Sequence, residues 1–169
     1  MFSLKAQQNL ELTHRHEVKL NLGSSVFMAF PEMSYEYILN EDMSVGTAVG
    51  FGFGENNGDR YKFKAMPFWR WFFSSNLQQP ATGFFIEANG AVGSRYIDKN
   101  NLNSNSSKSE TTDTMFTTCL GLAIGGKYLS KNNWTAEILA GVGRNFIYEK
   151  SYANESLYAR IGISIGKRF

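Results

Sequence analysis

The sequence predicts an all-β protein, an eight-stranded antiparallel up-and-down transmembrane β-barrel, and three observations predict it. Apolar residues recur with a period of two rather than 3.6, so successive side chains point to opposite faces of extended chain. Clusters of Gly, Asn, Asp and Ser cut the alternating stretches into eight segments. Aromatic residues make up 15% of a chain that is only 43% hydrophobic, and they gather mostly on one parity, opposite small and charged residues. That is the pattern of a sheet with one apolar facet.

Residues 1–15 are expected to form a signal-peptide remnant and a periplasmic amino-terminal tail, ahead of a barrel over 16–169. The opening Met1-Phe2-Ser3-Leu4 is a scrap of apolar chain, and the residues around Ala6 and Gln7 resemble a signal-peptidase site. The first strand is predicted over 16–27, where Val18, Leu20 and Leu22 alternate with Lys19 and Asn21. The second, 32–39, runs into the compact turn Asn40-Glu41-Asp42. In the third, 43–53, Val45, Thr47, Val49, Phe51 and Phe53 alternate with glycine and alanine. The fourth, 60–73, sets Phe63, Ala65, Pro67, Trp69 and Trp71 against Lys62, Lys64, Met66, Phe68, Arg70 and Phe72. The fifth spans 82–96. The sixth, 114–128, places Phe116, Leu120, Leu122, Ile124 and Tyr128 on one parity, and the seventh covers 134–148. The eighth, 156–169, aligns Leu157, Ala159, Ile161, Ile163, Ile165 and Phe169.

The connections alternate in character as well. Those at 40–42, 74–81 and 130–133 are compact, whereas 54–59, 97–113 and 149–155 are polar and mostly longer; a short link near 28–31 is the exception. Short turns at one end and longer loops at the other suit a meander whose ends face different compartments.

Residue size decides which facet faces inward. The interior of an eight-stranded barrel only just holds its own side chains. The facet rich in Gly, Ala, Ser and Asn, with Glu17, Lys19, Glu36, Lys62, Lys64, Arg70, Glu87, Glu137, Arg160 and Arg168, fits that lumen; the aromatic facet would overfill it and therefore faces lipid. A one-residue slip of the fourth strand would turn Lys62, Lys64 and Arg70 outward, at roughly 2–4 kcal/mol for each cation near the bilayer midplane. With the first strand running outward from the periplasm, Trp69, Trp71, Tyr128, Trp134 and Phe169 fall near the periplasmic rim and Phe51, Phe53 and Phe116 near the outer one, as two membrane-interface girdles. Arg144 shares the lipid-facing parity close to the outer rim, where it either snorkels to lipid phosphates or follows a bulge at Gly143. The last strand, with Ile161, Ile163, Ile165 and Phe169, resembles the carboxy-terminal insertion signal of outer-membrane barrels.

Composition excludes other classes. No run of roughly 18 apolar residues can serve as a spanning helix. Seventeen Lys and Arg against fifteen Asp and Glu leave a net charge of +2, too balanced for a nucleic-acid partner. The single cysteine, Cys119, permits no internal disulfide and no cysteine-rich zinc site.

On the residues Lys19-Leu20-Asn21-Leu22, Tyr35-Glu36-Tyr37-Ile38-Leu39-Asn40, Met43-Ser44-Val45-Gly46 and Pro67-Phe68-Trp69-Arg70-Trp71-Phe72, the chain from about His16 to Phe169 resembles the small OmpA/OmpX-like outer-membrane barrels, and more closely a Bacteroidota family of eight-stranded barrels. Phe68 departs from that family, in which an acidic residue is commoner there. The resemblance implies a multi-pass protein of the Gram-negative outer membrane in contact with lipid and lipopolysaccharide, inserted by the barrel-assembly machinery, and it brings no catalytic residue and no cofactor.

Candidate sites follow from the lumen. Glu36, Glu87 and Glu137 can pair with Arg70, Arg160 and Lys64, since buried charges persist only when paired. Such a network reads as a polar plug that closes the tube. Lipid-hydrolysing barrels need a histidine at the outer rim, but His14 and His16 lie at the periplasmic end, so no enzyme is expected. Their i, i+2 spacing reads as a solvated tail rather than a metal site. The polar loop 98–108 reads as surface cover, and Cys119 as a small core residue. The expected role is a structural or protein-interaction component of the envelope, as an accessory subunit of a larger outer-membrane complex; a narrow pore or a carrier of small solutes or hydrophobic ligands is the alternative.

Overall fold

The computed structural model describes residues 14–27, 30–52, 61–73, 79–98, 112–146 and 157–169. The elements are β1 (His16–Asn21), α1 (Leu22–Phe27), β2 (Glu32–Ile38), β3 (Met43–Phe51), β4 (Tyr61–Phe72), β5 (Gly83–Asp98), β6 (Thr112–Leu129), β7 (Trp134–Asn145) and β8 (Leu157–Arg168). Every strand pairs antiparallel with its sequence neighbours, and β1 pairs with β8 to close an eight-stranded up-and-down barrel. Closure leaves no sheet edge along the paired stretches. The barrel has a near end, where β1 begins and β8 finishes beside the turns at 39–42 and 130–133, and a far end opposite.

One element departs from the expected strand over 16–27. Strand pairing stops at Asn21 and a six-residue helix, α1, follows. Asn21 makes the change of direction: its Oδ1 accepts the Ser24 N–H at 3.2 Å, as a helix cap does, while the Ser24 and Ser25 hydroxyls donate to its carbonyl at 3.3 and 2.5 Å. Leu22 and Val26 are exposed and Ser24 between them is buried. In a strand those three would share a face, whereas in a helix an i, i+4 pair does so without its middle residue. The other strands keep their expected places with ends moved by a few residues; β6 reaches Leu129 and begins at Thr112, and β7 stops at Asn145. The register of β7 runs without interruption through Gly143, opposite Gly121 and Tyr158, so no bulge turns Arg144 inward and it stays exposed at the far rim. The ladder between β4 and β5 skips Met66 and Pro67, as a residue without an N–H requires.

Side chains inside the barrel stack in three layers. At the near end Ile38, Phe72, Phe85, Ala123 and Leu139 pack with Ala81, and the rings of Phe72 and Phe85 lie 5.3 Å apart. Charged residues occupy the middle. Towards the far end Ala48, Met66, Ala91 and Cys119 pack with Tyr158. The lumen thus holds Phe68, Phe72 and Phe85 among its small residues, and glycines on neighbouring strands make the room: a Cβ at Gly46 would come within 2.5 Å of the Phe68 ring, and one at Gly125 within 2.5 Å of Phe85.

The near end is closed by backbone. Ala81 is fully buried although it belongs to a turn, its N–H donating to Glu41 O at 2.7 Å. Arg168 donates to Pro80 O at 2.8 Å and Ala81 O at 3.3 Å. Ala81 takes a left-handed φ of 51°, a conformation uncommon for a residue with a side chain and held here by those contacts.

Candidate functional site: the charge cluster that fills the lumen

Alternation along β1, β2, β4, β5, β6, β7 and β8 sends Glu17 and Lys19, Glu36, Arg70, Glu87, Lys127, Glu137, and Arg160 and Arg168 to the inside, where all are buried. Arg70 is the hub. Its guanidinium makes a two-pronged contact with Glu137 at 2.8 Å for both pairs, reaches Glu36 at 2.8 Å, and binds Glu87 through Nε and Nη2 at 2.9 and 2.8 Å. The same group lies between two rings, 4.3 Å from the centroid of Phe68 and 4.5 Å from that of Phe85, an arrangement in which a planar cation is attracted by aromatic faces. Phe68 thus contributes a ring face to Arg70 while three carboxylates from other strands supply the opposite charge.

Two ammonium groups complete the middle of the cluster. Lys19 donates to Glu137 at 2.8 Å and to Glu36, with Glu17 3.8 Å away. Lys127 donates to Glu36 at 2.6 Å and Glu17 at 3.0 Å, with its nitrogen 4.8 Å from the Phe72 ring centroid. The Ser44 hydroxyl gives Glu36 a further donor at 2.5 Å. At the near end Arg168 Nε meets Glu17 at 2.6 Å. At the far end Arg160 Nε stands 2.7 Å from Glu87 Oε1, an ion pair outside hydrogen-bond alignment, and Nη1 points at Met66 Sδ at 2.7 Å. Asn89 donates to Glu87 at 2.9 Å and accepts from the Tyr158 hydroxyl. Four carboxylates and five cations thus form one connected set across seven of the eight strands. Chemically this is a saturated plug. Each of its four carboxylates is engaged by at least two cations.

Of the six residues assigned from sequence to the lumen network, Glu36, Arg70, Glu87, Glu137 and Arg160 belong to this set. Lys64 lies six residues along β4 from Arg70, roughly 20 Å at the strand rise, with its ammonium 4.8 Å from the Tyr158 ring centroid. Besides Arg70, the cation that meets both Glu36 and Glu137 is Lys19, and Lys127 meets Glu36. Lys127 is a member that the sequence assignment omits, although the signal for it is present: it has the parity opposite Ile124 and Tyr128.

The interface residues take the outer wall. Trp69, Trp71, Tyr128, Trp134 and Phe169 are exposed towards the near end, and Phe51 and Phe116 towards the far end; Phe53 lies outside the described residues, as do the loops 54–59, 99–108 and 149–155 and residues 1–13. Ile161, Ile163 and Ile165 are exposed along β8. His16 is no solvated tail. It opens β1, exchanges backbone hydrogen bonds with Phe169 at 2.8 and 3.0 Å, stacks on that ring at 5.9 Å, and has its Nδ1 2.6 Å from the Tyr35 hydroxyl. His14 is exposed just before it.

Over residues 1–166 the chain matches the model of a protein family described as "Protein of unknown function (DUF3575)". No curated protein and no solved structure matches it.

Proposed function

The chain belongs to the DUF3575 family, and from its two contrasting faces we propose that it is a non-enzymatic integral protein of the outer membrane of a Gram-negative bacterium, with a plugged polar lumen. It serves as a structural or protein-interaction component of the envelope, an accessory subunit docked to another outer-membrane or periplasmic protein. One observation carries the reading: among the described strand side chains, the charged ones on the outward face are Arg144 at the far rim and Lys167 at the near rim, while the inner face holds the connected ion cluster. A hydrocarbon belt tolerates this distribution and water does not require it. The exposed aromatics near both rims suit the two bilayer boundaries, with the near end in the periplasm and the far end outside.

The resemblance to OmpA/OmpX-like barrels and to a Bacteroidota barrel family supports the same compartment. Lipid and lipopolysaccharide are then the surroundings, and the barrel-assembly machinery the factor that inserts the barrel. The three stacked layers speak against the pore alternative. Expression in a Gram-negative host should bring the protein into the outer-membrane fraction, with the unheated folded form migrating faster than the boiled one on a denaturing gel. A soluble, detergent-independent monomer defeats the membrane assignment. Purification from the native membrane in mild detergent should bring a second envelope protein with it; a barrel that always elutes alone counts against docking.

A further inference from the structure

At Gly126 an added Cβ would meet nothing within 4 Å. It faces outward on β6, between Ile124 and Tyr128 on the same face, so neither internal packing nor lumen volume requires the absence of a side chain. Glycine weakens a strand relative to a residue that packs, yet here it leaves a shallow, open apolar groove of about 500 Å³ along the outer wall. Phe84, Tyr128, Ala136, Ile138 and Ile163 line it, and Phe84 and Tyr128 stand 72% and 68% exposed at its sides.

The near rim continues the groove with positive charge. Tyr128 is opposite Ala136, Ala136 is opposite Ile165, and Trp134 is opposite Lys167, which sets Lys167 about 7 Å beyond the groove floor at the strand rise. Its ammonium is held at the rim by donation to Asn132 O at 2.7 Å and sits 5.3 Å from the Trp134 ring centroid. Lys131 is exposed in the same turn. An apolar slot leading to an anchored cation beside an interfacial Trp has the polarity of one amphiphile: acyl chain in the slot, phosphate at the lysines.

We propose that this groove is a binding site for one phospholipid of the periplasmic leaflet, with an acyl chain over Gly126 and its phosphate at Lys167 and Lys131. The proposal rests on the membrane reading above. The full chain, folded in detergent with phosphatidylethanolamine and phosphatidylglycerol and then exchanged into lipid-free detergent, is weighed by native mass spectrometry. The wild-type protein should keep one phospholipid. Gly126→Leu, which fills the slot, should lose that mass, Lys167→Glu should lower its occupancy, and Thr47→Leu, outward on the opposite wall, should leave it intact, all with unchanged heat-modifiable migration. No retained phospholipid in the wild type, or equal retention by wild type and Gly126→Leu, overturns the site. Failure of the membrane reading shows separately, as a chain that stays folded and monodisperse without detergent.

Discussion

Gly125 and Gly126 are adjacent in β6 and have opposite requirements. At Gly125 a methyl group would meet the Phe85 ring at 2.5 Å and the Ile138 carbonyl at 2.6 Å, whereas at Gly126 it would meet open space. Gly125→Ala should therefore cost about 1–3 kcal/mol, as overpacking does, while Gly126→Ala should stay within about 0.5 kcal/mol of the wild type, as a surface change does. Equilibrium unfolding in detergent by a common denaturant series checks both. Parity alone assigns the two residues to opposite faces of the barrel. It carries no information on ring size opposite each glycine, because Phe85 and Gly125 are brought together only by the pairing of β5 with β6.

At the scale of the element, the strands follow from period-two alternation and turn chemistry, and α1 does not. Leu22 and Val26 satisfy the strand period and the helical i, i+4 spacing equally, and the deciding event is the side chain of Asn21. That amide caps α1, donates to Glu32 at 3.1 Å and accepts from the Ile163 N–H at 3.3 Å, tying the end of β1 to β2 and β8. Asn21→Ala should lower stability by about 0.5–2 kcal/mol, the range for a lost helix cap. Asn21→Asp keeps the cap acceptor while losing the donor to Glu32, so it should recover only part of that loss in the same unfolding measurement. Equal stability of wild type and Asn21→Ala would show that the helix end is held by other contacts.

For the whole molecule, the buried cluster couples strands that are far apart in the chain and closes the tube along its axis. Removing one member of a buried ion network leaves its partners desolvated without compensation, typically at 3–5 kcal/mol. Arg70→Ala takes one cation from three carboxylates at once, each of which keeps another in Lys19, Lys127 or Arg160, so it should cost no more than that range, about 3–5 kcal/mol, and Arg70→Lys less, since it keeps the charge but not the forked geometry. Planar-bilayer recordings of the wild-type protein should show no large, stable single-channel conductance. A steady open pore would mean that the three layers inside the barrel do not persist in the membrane.

Strand number, the inward and outward facets, and the membership of Glu36, Arg70, Glu87, Glu137 and Arg160 in the lumen are all local consequences of extended chain, in which side chains alternate whatever lies across from them. Sequence by itself determined those. Which charges meet was decided by closure: Lys19 reaches Glu137 across 118 positions, and Lys127 reaches Glu17 across 110, contacts set by the relative stagger of eight strands rather than by any one of them. Closure likewise buries the turn at Ala81, stacks Arg70 between Phe68 and Phe85, and leaves the slot over Gly126 facing outward. A repeat of two residues says which way each side chain points; only the assembled barrel sets what stands opposite it.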